Sequence, residues 1–302
     1  MKSYKKIILL PFIALMLTGC NGGNNPTDPS KTTDPTSGDS GDSIDPTAWN
    51  GYYASINTDM GATKLQLELH RLMINTHTKY YKYSETRTYA NQADMDPSDT
   101  SKLVNYYTSK KVTSYQSREH VWPCANSNGL WGREGGQDIG EDYVGGGSDF
   151  YHVRNCDGKV NSNRQNYRFY EFKENEDFKL ATDGGTYALK YNVEMKKAEP
   201  ADEWKGDIAR TVVYLYVHYG MYKSDDDKDR YTGSLDLADV IFKDSSESYT
   251  DLYTRICKWN RLDPVNEQEK LRNTNVYALQ GNRNPFVDYP FLMDQMFGIE
   301  SN

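Results

Sequence analysis

The chain has 302 residues, enough for one large domain or two small ones with a sizeable core. Hydrophobic residues make up 37% and tyrosines number 25, so burial leans on amphipathic rings whose hydroxyls need partners. The net charge is −8, and setting aside Lys2, Lys5 and Lys6 of residues 1–19 leaves −11; this excludes a protein held to a polyanion by bulk charge, and any such site must be a local basic patch helped by a metal.

The three lysines precede an apolar run, Ile7 to Leu17, too short for a membrane span and ending Leu17-Thr18-Gly19-Cys20. Residues 1–20 read as a bacterial lipoprotein signal, with Cys20 lipidated and the protein exported, anchored to a membrane rather than spanning it. The alternative is an ordinary cleaved signal. Residues 21–47, mostly Asn, Gly, Thr, Asp, Pro and Ser, read as a disordered tether, and residues 48–302 as one folded, monomeric domain.

Leu65, Leu69, Leu72 and Met73 fall at helical spacing and predict a helix over 62–76, with His70 and His77 as surface or packing residues. Val104–Tyr107 and Val112–Tyr115 are strand candidates. Arg118-Glu119-His120-Val121-Trp122-Pro123 reads as a short strand that ends at a turn. Residues 124–148, rich in glycine, form a loop whose length points to function. A helix is expected from near Val160, with Asn161, Arg164 and Arg168 on one face and Val160 and Tyr167 on another. A strand is expected within 185–196. Ile208, Val212, Leu215, Tyr216 and Tyr219 predict a long buried helix, on which His218 is structural. Residues 224–230 (SDDDKDR) are a solvated charge run that lacks the glycine and glutamate of a calcium loop. A helix over 248–261 and a tight turn over 280–286 complete the chain.

Two polar clusters carry the chemistry: the strand ending at His120, and residues 149–166 (DFYHVRNCDGKVNSNRQN). Hydrolysis of a phosphodiester needs a water, a base and positive charge at the phosphoryl and leaving oxygens. His120 suits the base, being largely neutral near physiological pH. Glu119 and Asn161 offer hard oxygen ligands for Mg²⁺, with Ca²⁺ or Mn²⁺ as alternatives, and leave positions open for water and phosphate. Arg133, Arg154 and Arg164 are candidates to grip the phosphate bidentately. Adjacent residues on a strand face opposite ways, so Glu119 and His120 share a site only if the strand bends there or the phosphate passes between them. Taken singly, each residue also suits a solvated strand end, a helix cap or a helix face.

The motifs Arg118–Pro123 (REHVWP), 149–166, 205–210 (KGDIAR) and 280–286 (QGNRNPF) stand in the order seen in the endonuclease I family, which the chain resembles over most of residues 49–290. The resemblance implies an α+β fold around a ββα-metal, or His-Me finger, motif. It implies a metal-dependent, largely sequence-independent endonuclease acting on DNA and often RNA, leaving 5′-phosphates. The general base then falls on His120, the metal ligands on Glu119 and Asn161, and the phosphate-holding arginine on Arg133; KGDIAR and QGNRNPF are structural or supporting. Cys124 and Cys156 depart from the expected pattern; a disulfide between them and three buried thiols, with Cys257, are both open. The competing readings are a non-catalytic surface lipoprotein that binds nucleic acid or sugar polymer, and a small-molecule phosphodiesterase. A binder need not keep Glu119, His120 and Asn161 together.

Overall fold

The computed structural model describes residues 43–127, 140–220 and 235–300. Residues 1–20, expected to be a lipoprotein signal with Cys20, most of the expected tether, Arg133 and the charge run 224–230 lie outside these residues. Ile44 already packs against the core, and the backbone N–H of Asp45 donates to the Tyr289 hydroxyl at 3.0 Å.

After one helical turn, α1 (Ala48–Gly51), the first expected helix is α2 (Ala62–Thr76). Leu65, Leu69 and Met73 are fully buried at i, i+4 and i+8. That stripe seats the helix, each side chain contributing roughly 1.5–3 kcal/mol on burial. His70 and His77 are both interior. Next come α3 (Thr86–Ala93) and an antiparallel sheet of β1 (Met95–Asp96), β2 (Asp99–Val104) and β3 (Lys111–Val112). The strands expected over Val104–Tyr107 and Val112–Tyr115 are therefore displaced. Tyr107 has φ +73°, a left-handed backbone that turns the chain instead of extending it.

The strand at the REHVWP motif is present as β4 (Ser117–His120). It pairs antiparallel with β5 (Val153–Cys156), and α4 (Gly158–Arg164) follows at once, completing a ββα unit. Gln165, at φ +51°, ends α4. Arg168 is consequently not on the helix face expected for it but in the next strand.

β6 (Arg168–Phe169), β7 (Lys179–Asp183), β8 (Thr186–Asn192) and β9 (Lys197–Pro200) form a sheet in the order β6-β9-β8-β7, parallel only between β6 and β9. The helices α5 (Lys205–Tyr219), α6 (Tyr249–Leu262), α7 (Glu267–Gln280), α8 (Pro285–Asp288) and α9 (Leu292–Phe297) complete an α+β architecture. Every residue of α5 except Tyr216 is buried, as befits a central helix.

The KGDIAR and QGNRNPF motifs mesh in this interior. Arg210 donates from Nε to Glu269 at 2.8 Å, and Asn284 donates to the Arg210 carbonyl at 3.1 Å. Gly206 is required: a Cβ there would lie 2.0 Å from the Asp263 carbonyl oxygen. Arg283 grips Asp288 through Nε and Nη2, at 2.6 and 2.7 Å. Both motifs are structural. Cys124, Cys156 and Cys257 are buried thiols.

Candidate active site

β4 and β5 set Glu119 opposite Arg154 and His120 opposite Val153. Asp157 starts α4 by accepting the N–H groups of Lys159 and Val160, each at 2.9 Å. Asp157 is thus the cap, and Asn161 lies one turn further in. Asn161 Nδ2 donates to the Arg118 carbonyl and the Ser117 hydroxyl, each at 3.0 Å. A carbonyl can only accept, so the amide nitrogen is fixed there and Oδ1 is left for the cleft.

The alternation of β4 does send neighbouring side chains to different faces. Arg118 and His120 go to Tyr83: the Arg118 guanidinium lies 3.6 Å over that ring, and the His120 ring stacks on it with centroids 5.5 Å apart. Glu119 turns inward, accepting the Tyr107 hydroxyl at Oε1 (2.7 Å), with Arg164 Nε 3.5 Å from the same oxygen. The strand stops at His120, and one cleft of about 650 Å³ reaches both faces, lined by Tyr83, Arg118, Glu119, His120, Asn161 and Arg164 among others.

His120 Nε2 lies 3.0 Å from the Gly147 carbonyl, which requires the proton on Nε2 and makes Nδ1 the basic nitrogen of the neutral ring. His152 stands edge-on to His120, centroids 5.0 Å apart. Burial, and next the nearness of His120, hold His152 at about 3, so it is a neutral neighbour. It ties the loop to the turn after β4, with Nδ1 2.8 Å from the Gly146 carbonyl and Nε2 3.1 Å from the Trp122 N and 2.6 Å from the Trp122 carbonyl. Burial pushes the Glu119 carboxyl above its ordinary value, while Arg164 and then Tyr107 pull it back.

The expected arginines part company. Arg164 lines the cleft but is 1% exposed; its Nη2 donates to the Val121 carbonyl at 2.6 Å and its Nη1 to the Gln165 carbonyl at 3.0 Å. Its Nε lies 3.5 Å from Glu119 Oε1, so its charge sits beside that carboxylate. Arg154 does not line the cleft: it is buried over the Tyr106 ring, 3.5 Å from Asp94 and 3.7 Å from Asp207. Arg168 is half exposed and 3.9 Å from Asp239. The cleft's remaining described arginine is Arg118, which the sequence reading passed over. Its place two residues before His120, on the same strand face, was the available signal.

His77, Asp149 and His218 form a second group, with ligand atoms within 4.8 Å of one another, a possible cation site in the interior. Its atoms are engaged with each other and with tyrosines. His77 Nδ1 and His218 Nε2 share a hydrogen bond at 2.9 Å, and Asp149 Oδ2 accepts the hydroxyls of Tyr214 and Tyr219 at 2.8 and 2.7 Å. The group knots α2, α5 and the approach to β5, as expected of a structural His218.

The sequence pattern of the Endonuclease I family matches residues 61–291. The chain belongs to the endonuclease I family. It is similar to an "Extracellular ribonuclease" of Bacillus amyloliquefaciens, 32% identical over 267 residues, 84% of this chain and 81% of the relative. It is 31% identical over 255 residues to an "Extracellular ribonuclease" of Bacillus subtilis (strain 168), 82% of this chain and 78% of that one. An "Endonuclease-1" of Buchnera aphidicola subsp. Baizongia pistaciae is 24% identical over 174 residues, 56% of this chain and 60% of that one. The endonuclease I chain described here is thus a nuclease with an α+β fold.

Tyr107 gives a direct handle on the site. Its hydroxyl favours the ionised form of Glu119, so Tyr107→Phe raises the carboxyl further. If activity needs that carboxylate, the acid limb of the kcat/KM–pH profile moves to higher pH. A profile that stays in place, or moves to lower pH, removes Tyr107 from this role.

Proposed function

We propose that this endonuclease I is a divalent-metal-dependent, largely sequence-independent enzyme that hydrolyses phosphodiesters of RNA and DNA to 5′-phosphate products. The supporting observation is that His120, Glu119 and Asn161 line one cleft. The donor set suits the ion: a carboxylate whose two protein partners both take Oε1, and an amide oxygen set free by the bonds its nitrogen makes, are hard ligands that Mg²⁺ prefers and that Ca²⁺ or Mn²⁺ accepts. A cation held there supplies Lewis acidity at the phosphoryl and leaving oxygens. His120 Nδ1 takes the proton of the attacking water. Arg118, on the His120 face, gives charge-assisted hydrogen bonds to the phosphate, and Arg133 is the second candidate for that grip.

RNA stands beside DNA because the two Bacillus relatives are named ribonucleases. Their names also support export. From the sequence we infer residues 1–20 as the signal, Cys20 as a lipid anchor and residues 48–302 as the exported monomeric domain. Among the described residues no helix is long and apolar enough to cross a membrane. The test is to give the purified protein supercoiled plasmid and single-stranded RNA, in Mg²⁺ and then in EDTA. Both substrates should be degraded, chelation should stop the reaction, and added Mg²⁺ should restore it. Undiminished turnover in chelator rules out the metal assignment.

A further inference from the structure

Among the described residues that line the His120 cleft, Gln165 alone has a positive φ. At φ +51° and ψ −138° its backbone lies where a Cβ is crowded and glycine is at ease. Strain of this kind persists only where the surroundings over-determine it.

Three hydrogen bonds do that here. The Gln165 N–H donates to the Asn161 carbonyl at 3.0 Å, and Arg164 Nη1 donates to the Gln165 carbonyl at 3.0 Å. Asn126 Nδ2 donates to the Asn166 carbonyl, also at 3.0 Å. All three end on main-chain atoms of residues 165 and 166, so a glycine at 165 would satisfy them equally and without the strain. They explain the turn and leave the glutamine unexplained. Its side chain is exposed, one helical turn past Asn161, and its amide bonds no described residue. Neither packing nor an internal hydrogen bond accounts for a side chain at this position.

We propose that Gln165 is a substrate contact: its amide hydrogen-bonds an uncharged edge, a ribose hydroxyl or a base, of a nucleotide beside the scissile phosphate. An amide offers a donor and an acceptor together. Sugar hydroxyls and base edges answer both, whereas phosphate oxygens only accept and are better met by the cationic Arg118. The inference rests on the reading of the His120 cleft as the place of cleavage.

The full chain is compared with Gln165→Gly and Gln165→Ala, by thermal melting and by kcat/KM on single-stranded oligo-adenosine, oligo-uridine and their deoxy counterparts. Gln165→Gly should raise Tm by about 2 °C, the relief of strain less the freedom that glycine gains in the unfolded chain. It should nevertheless lower kcat/KM about three- to tenfold, the worth of one neutral hydrogen bond. Gln165→Ala keeps the strain, so it should lose the same activity at unchanged Tm. The loss should be uneven: greater on RNA than on DNA for a ribose hydroxyl, greater on one base than the other for a base edge. Undiminished turnover in either variant overturns the proposal. So does an equal loss on every substrate, which marks a phosphate contact, or a fall in Tm in both variants, which marks a structural side chain. His120→Ala is assayed beside them. A chain that cuts as well without His120 fails the reading of the cleft and takes this inference with it; His120-dependent cleavage indifferent to residue 165 fails the inference alone.

Discussion

His120→Ala in the full chain is expected to lower kcat on RNA and plasmid by about 10²–10⁴-fold, the usual contribution of a positioned base. Stability should hardly move, because His120 ends its strand, is only partly buried, and makes its ring contacts with Tyr83 and His152 at the rim of the cleft. A surface-type change of this kind stays within about 0.5 kcal/mol, roughly 2 °C in Tm for a domain of this size. The geometry makes the expectation specific to Nδ1, since Nε2 is committed to the Gly147 carbonyl. Retained turnover in a folded variant would remove His120 from the mechanism. A large fall in Tm would instead assign it to the scaffold.

Arg164→Ala should be the most damaging single change near the site. Its guanidinium touches the Glu119 carboxylate and donates to the Val121 and Gln165 carbonyls, all in the interior. Removing it leaves a carboxylate buried without its cation, at a cost of about 3–5 kcal/mol, or roughly 10 °C in Tm. Cleavage should fall with it, because Glu119 loses the group that orients Oε1. Arg164→Lys should rescue little: one ammonium cannot reach acceptors that a planar fork spans. The pair Glu119→Gln with Arg164→Met separates the two effects. An uncharged buried pair of similar volume should recover most of the stability, yet cleavage should stay lost. Recovered cleavage in that variant would rule out Glu119 as a ligand.

β5 was not read from the residues, and the ββα unit came from the family resemblance. The strand ending at His120 and the helix after it were legible from contiguous motifs, with the helix expected near Val160 starting at Gly158 behind the Asp157 cap. The helix stop was not. Gln165 takes a positive φ that the sequence would have advertised only with a glycine, so Arg168 was carried one element too far. α7 was missed for a different reason: Glu269, Arg272, Asn273 and Gln280 are buried on it, and a polar interior erases the apolar period that marks a helix. The strands β7 and β9 escaped likewise, KLATD and KAEP offering little alternation of apolar residues. At the site, Tyr107 and His152 were invisible because their work is done from other parts of the chain, on Glu119 and on the turn at Trp122. Arg118 was in plain view inside the motif, and only the strand period separates it from the arginines that were chosen.

The interior keeps Cys124, Cys156 and Cys257 as thiols, with Cys257 hydrogen-bonded to Asp294. Among the described residues no disulfide holds the fold, so forming it calls for no disulfide oxidant or disulfide isomerase. Such an enzyme can take its native shape in surroundings as reducing as a cytoplasm, and reagents that dismantle cross-linked secreted proteins should leave it whole.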